Sequence, residues 1–150
     1  MTYLHATRNL PDHWYPKDLQ KRAVVDQWMH WHHTAIRPGA LLFFETVVKP
    51  MIGLEPNLNY VETCKATFTR GLKCLEPVLA KNEYLCGPEI SVADLNSVMD
   101  IYHLTIVNFD YGKFPNVTRW MDQIISMPEV LESHAFFEKM KAKAMGTSKL

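Results

Sequence analysis

Apolar residues at Val61, Cys64, Phe68, Leu72, Leu75 and Val78/Leu79 recur at steps of three and four, a spacing that an α-helix lays along one face. Leu95, Val98/Met99, Tyr102, Ile106 and Phe109 repeat the pattern further along. The alternation of a half-buried strand is sustained nowhere. The chain therefore reads as all-α, with helical segments over residues 2–8, 16–49, 58–81, 92–109, 117–127 and 129–144. Pro38 and Pro77 fall inside two of these patterns, and each is expected to kink or split its helix, because proline lacks an amide donor and its ring crowds the preceding turn. Pro38 is followed by Gly39, the softer point of the two. Pro16 suits a first helical position, and Pro128 divides the last two segments.

The sharpest local signal is Ile90-Ser91-Val92-Ala93-Asp94-Leu95. Ser91 is expected to cap a helix by accepting from the Asp94 amide while the Asp94 carboxylate reaches back to the Ser91 amide, with Ile90 and Leu95 as a hydrophobic staple. The carboxylate then also sits at the positive end of the helix dipole. Asp94 is read as a structural cap rather than a catalytic acid. Asn116, with Pro115 and Trp120 around it, repeats the signal more weakly.

Composition narrows the function classes. A length of 150 residues suits one domain. Sixteen basic residues balance sixteen acidic ones, which argues against nucleic acid, since binding phosphates needs an excess of Lys and Arg. No apolar run is long enough to span a membrane, and the opening MTYLHATRNL has no continuous apolar core of a signal peptide. Cys64, Cys74 and Cys86 are odd in number and unpaired in spacing, as expected of thiols in a reducing compartment, with the cytoplasm as the default. Without a secretory route the sequon Asn116-Val117-Thr118 is an empty match.

A search for chemistry returns mostly negatives. There is no Gly-rich phosphate loop, no nucleophile elbow and no zinc-type cysteine pairing. The unusual cluster is His30-Trp31-His32-His33, with Asp26 before it and Arg37 after it. Asp26, His30, His33 and Arg37 fall on one helical face. That face has three readings: shared ligands of a divalent ion, a solvated face with Asp–His pairing four residues apart, or the wall of a binding cleft with Trp31, Phe43 and Phe44 nearby. No further metal ligand is evident, and no metal is assigned.

Four strings carry a family likeness. DHWYPKDLQKRA (Asp12 to Ala23) and WHHTAIRPGA (Trp31 to Ala40) resemble the opening of the helical C-terminal domain of theta-class glutathione transferases, plant-type ones in particular. CGPEISVADL (Cys86 to Leu95) resembles the capping-box module of the wider cytosolic superfamily, and FPNVTRWMDQI (Phe114 to Ile124) the helix that follows it. The resemblance implies a helical bundle of the glutathione transferase C-terminal type over residues 11–150. Tyr3 to Arg8 resembles the last helix of the thioredoxin-like domain that precedes it, so residues 1–10 are read as a remnant of that domain and a linker. The chain then looks like a family member cut at the start of that helix.

The residue that activates glutathione lies in the thioredoxin-like domain, so no catalytic residue is carried over and no bound cofactor is assigned; glutathione is the family's co-substrate. The likeness implies a wall for a hydrophobic electrophile, and the residues expected there are Trp31, His33, Thr34, Arg37, Phe43 and Phe44. At Pro38 similar proteins carry arginine, which leaves the aim of Leu41 to Phe44 open. Expected partners are a hydrophobic small-molecule electrophile, the thioredoxin-like domain of the same protein and a second copy in a homodimer, with no nucleic acid and no membrane. Conjugation is expected to need both domains. The alternative is a non-catalytic helical interaction module, as the superfamily supplies to translation elongation and aminoacyl-tRNA synthetase complexes.

Overall fold

The structure, a computed structural model, describes residues 2–147. Nine α-helices follow one another among them: α1 (Thr2–Arg8), α2 (Leu19–Ala35), α3 (Pro38–Phe43), α4 (Lys49–Met51), α5 (Leu58–Leu79), α6 (Val92–Tyr102), α7 (Pro115–Ile125), α8 (Pro128–Ser133) and α9 (Ala135–Thr147). Among the described residues the only extended pairing is an isolated bridge between Tyr84 and Gly87, so the domain is all-α as the periodicity implies.

The expected stripe of α5 is its buried face: Cys64, Phe68, Leu72, Leu75 and Leu79 all lie in the core. They meet Val98 and Ile101 of α6, Val117, Trp120 and Ile124 of α7, and Ile36 at the end of α2. Each such side chain stabilises the fold by roughly 1.5–3 kcal/mol relative to exposure. Two glycines let α5 come close to the α2–α3 turn. A Cβ on Gly71 would stand 2.7 Å from the Ala35 carbonyl oxygen, and one on Gly39 would stand 2.7 Å from the Phe68 ring.

The segment expected as one helix over 16–49 is divided. Its start moves from Pro16 to Leu19, because Asp18 caps the helix, its Oδ1 accepting from the amides of Gln20 (3.0 Å) and Lys21 (2.9 Å). Pro16 lies outside, its carbonyl held by Arg22 Nε at 2.7 Å. Pro38 splits the run as expected: the chain turns at Ile36–Arg37, both of whose amides bond to the His32 carbonyl, and Pro38 opens α3. A π-helical turn, Phe44–Val48, then joins α3 to α4. Pro77 does not split α5. It falls in the last turn, where the one lost amide bond interrupts little before the helix ends.

Beyond Tyr102 the segment expected to run to residue 109 tightens into a 3-10 helix, His103–Val107, and Asn108 stops it in the left-handed region at φ 52°. The last segment breaks at His134, between α8 and α9, after Pro128 has opened α8.

The capping box closes at Ser91 and does more than expected. Asp94 is fully buried; its Oδ2 accepts from the Ser91 amide (2.9 Å) and Ser91 Oγ (2.8 Å). Its Oδ1 accepts from the Leu85 amide (2.8 Å) and from Trp120 Nε1 on α7 (2.9 Å). Burial still holds the Asp94 carboxyl above its ordinary pKa, against the pull of these four donors. The weaker cap is arranged differently. Pro115, not Asn116, opens α7, and the carboxylate of Glu76 on α5 covers that helix start, accepting from the amides of Asn116 (3.0 Å) and Val117 (3.1 Å).

Candidate functional site

The residues expected to form the electrophile wall separate into three places. Trp31 and Thr34 line a shallow groove of about 240 Å³ between α2 and α5, together with Arg70 and Cys74. Phe43 turns inward and stacks on His103 (5.5 Å between centroids) and Phe137 (6.3 Å). His33, Arg37 and Phe44 are exposed, and Leu41 is exposed between them. Arg37, Leu41 and Phe44 follow at steps of four and three through α3 into the π turn, the spacing of one helical side, while His33 lies in the last turn of α2, before the Ile36–Arg37 turn. That side carries one cation and two large apolar side chains.

Arg37 is placed by a pair of buried groups that the sequence reading passed over. His32, which is 2% exposed, donates from Nε2 to Asp100 Oδ2 of α6 at 2.8 Å. Arg37 Nη1 lies 3.9 Å from the same oxygen while more than half of its side chain stays open to solvent. An aspartate within the apolar phase of α6, beside Val98 and Ile101, is the signal that was available. The neighbouring π turn is pinned by Glu45, which accepts from Lys49 Nζ and from the Asn57 amide, both at 2.8 Å. The bond from Lys49 and that from Asn57 hold the Glu45 carboxyl below its ordinary pKa. This bond ties the turn that carries Phe44 to the start of α5.

The polar face of α2 takes another form than the pairing expected for it. His30 donates from Nδ1 to the Asp26 carbonyl at 2.7 Å, and the Asp26 carboxylate accepts from Tyr15 at 2.8 Å. The Asp26 side chain thus turns to the segment before α2, where the buried Tyr15 supplies its donor. Among the described residues no group of three or more His, Cys, Asp or Glu side chains converges as a metal site would require.

Two larger concavities flank α3 and the π turn. One, of about 660 Å³, lies between α5 and the loop before α7 and is lined by Leu42, Val61, Lys65, Lys73, Phe109 and Lys113 among others. The other, about 420 Å³, is bounded by Thr46, Val47, Met51, Ile106 and Met140, with α9 as one side. Both volumes are in the range of small-molecule sites. His33 and Arg37 line neither.

The glutathione S-transferase C-terminal domain family matches residues 24–128, more than two thirds of the chain. Glutathione S-transferase theta-1 of Bos taurus is 31% identical over 148 residues, covering 95% of this chain and 62% of its own length. The theta-1 enzyme of Gallus gallus is 29% identical over 142 residues, covering 92% and 53% respectively. Among solved structures, human theta-class glutathione transferase in complex with the glutathione conjugate of 1-menaphthyl sulfate superposes with a TM-score of 0.81 at 25% identity, over 98% of this chain and 63% of that one. The chain thus spans between half and two thirds of the length of these relatives.

Proposed function

The chain belongs to the glutathione S-transferase C-terminal domain family and is theta-class-like within it, and on that premise we propose that it supplies the electrophile-holding half of a glutathione-conjugating enzyme. The observation that carries this reading is the exposed side of Arg37, Leu41 and Phe44, where a guanidinium shares a helical side with apolar surface and His33 lies one turn earlier. Such a face suits an oily reactant bearing an anionic group. Arylmethyl sulfates are such reactants, and the human theta-class relative was solved with the conjugate of one.

In the proposed reaction the thioredoxin-like domain binds glutathione and stabilises its thiolate, the form that attacks. Leu41 and Phe44 hold the hydrocarbon part of the electrophile against the thiolate, which turns a bimolecular encounter into a positioned one. Arg37, steadied by Asp100, faces the leaving anion and offsets the charge that develops on it. His33, one turn before it, adds a donor. Residues 1–10, with α1 packed back on Tyr15 through His5, belong to the junction with the thioredoxin-like domain. The assembly is a cytoplasmic homodimer, a reading supported by three free thiols, by broad apolar exposure and by the family.

The test is conjugation measured with 1-menaphthyl sulfate and glutathione for the chain alone and for the chain fused behind a theta-type thioredoxin-like domain. Turnover is expected in the fusion and not in the chain alone. A folded, glutathione-binding fusion that conjugates no electrophile would overturn the proposal in favour of a docking module.

A further inference from the structure

We propose that α9 is an acid-released strap, held over the apolar groove beside Val47 and Ile106 by the rings around His103 and let go when that imidazole takes up a proton. Phe137 is the only buried side chain among the described residues of α9. Its ring lies 4.7 Å from His103 and 5.3 Å from Tyr102, centroid to centroid. His103 also meets Phe43 at 5.5 Å and His134 at 5.7 Å. The seam that fastens the helix centres on Phe137, seated against His103 and Tyr102, with a second histidine at the hinge and Met140 packed beside it. A helix with one buried side chain among its described residues is drawn from the low-stability end of a fold, where local opening precedes global unfolding.

The charged and titratable groups around the seam include Asp122 of α7, whose charge acts on the Tyr102 hydroxyl, and Lys143 of α9, which lines the groove. His134 faces His103 from the α8–α9 junction, and Asp100 lies one turn before it on α6. From α9, Glu138 bonds to the Tyr102 hydroxyl and the Lys141 ammonium stands 4.8 Å over the Tyr102 ring. Asp100 favours a protonated His103, but its carboxylate already accepts from His32 and lies near Arg37. Burial and the like charge of His134 outweigh it and hold the His103 imidazole below its ordinary pKa. On undocking, the ring returns to water and recovers its usual basicity. A group whose docked pKa is lowered stabilises docking fully above its free pKa, near 6.5, and that contribution is lost as pH falls through the docked value. Mild acid therefore loosens α9, withdrawing Met140 and opening the groove of about 420 Å³ that it closes on one side.

Amide hydrogen exchange of the full chain tests this, with rates over residues 135–143 corrected for the intrinsic effect of pH. Between about pH 7.5 and 5.5 the opening of α9 should rise by up to tenfold per pH unit, the limit for one proton, while α5 and α7 stay protected. His103→Phe keeps a ring in the seam and removes the proton site, so its α9 should open no further in acid. His134→Gln removes the neighbouring charge, which brings the docked and free states of His103 closer in basicity and should reduce the acid-driven opening of α9, and this variant carries the test if His103→Phe does not fold. An acid response undiminished in His103→Phe, or no response in the unaltered protein, overturns the proposal.

Discussion

Asp94 shows how far one side chain reaches beyond its local motif. As a helix cap alone it would contribute about 1 kcal/mol, up to 2. Its carboxylate instead joins Ser91, Leu85 and the Trp120 indole, from three parts of the chain, in a dry interior. Asp94→Ala strands two buried amides and an indole N–H, each at a cost of about 1–3 kcal/mol. We expect a loss of about 3–5 kcal/mol, read as a drop in denaturation midpoint at unchanged slope. Ser91→Ala leaves the other donors in place and should cost about 1 kcal/mol. Equal losses for the two variants would mean that the bonds from the Leu85 amide and the Trp120 indole contribute nothing. The box was legible because its partners are three residues apart. The Trp120 bond, 26 residues away in sequence, was not.

At the scale of the element, α5 organises its neighbours by both faces. Its buried stripe was plain in the spacing of Cys64, Phe68, Leu72 and Leu75, since burial imposes a period that composition cannot hide. Its services to other helices were not, because they depend on which helices meet. Glu76 covers the start of α7, so Glu76→Ala should destabilise by about 1–2 kcal/mol with the loss centred on α7 amides in hydrogen exchange. Gly71 sits where α5 crosses the Ala35 carbonyl, and Gly71→Ala must push two backbones apart, costing about 1–3 kcal/mol although alanine favours helices. A stabilised Gly71→Ala variant in thermal melts would contradict the close crossing. The breaks at Pro38 and Pro128 followed from the lost amide donor, whereas the π turn after Phe43 and the 3-10 turn after Tyr102 have no such marker in the sequence.

For the molecule as a whole, the family likeness rests on strings that the fold puts to structural use: the box at Asp94, the helix start at Asp18 and the Ile36–Pro38 turn. The wall expected from the same strings is distributed over three surfaces: Trp31 and Thr34 against α5, Phe43 among the rings of His103 and Phe137, and His33, Arg37 and Phe44 in solvent. Apolar side chains at Leu19, Met51, Ile52, Leu58 and Phe136 are more than 60% exposed, so sedimentation of the chain should show dimers or larger species at micromolar concentration. The most direct test of the account is kinetic, in the fusion with a theta-type thioredoxin-like domain. Arg37→Ala and Phe44→Ala should each lower kcat/KM for an arylmethyl sulfate by about tenfold or more, the scale of one charged hydrogen bond or one apolar anchor, while Thr34→Ala, in the groove against α5, leaves it unchanged. Unaltered kcat/KM in both Arg37→Ala and Phe44→Ala would contradict the assignment of this face to the electrophile.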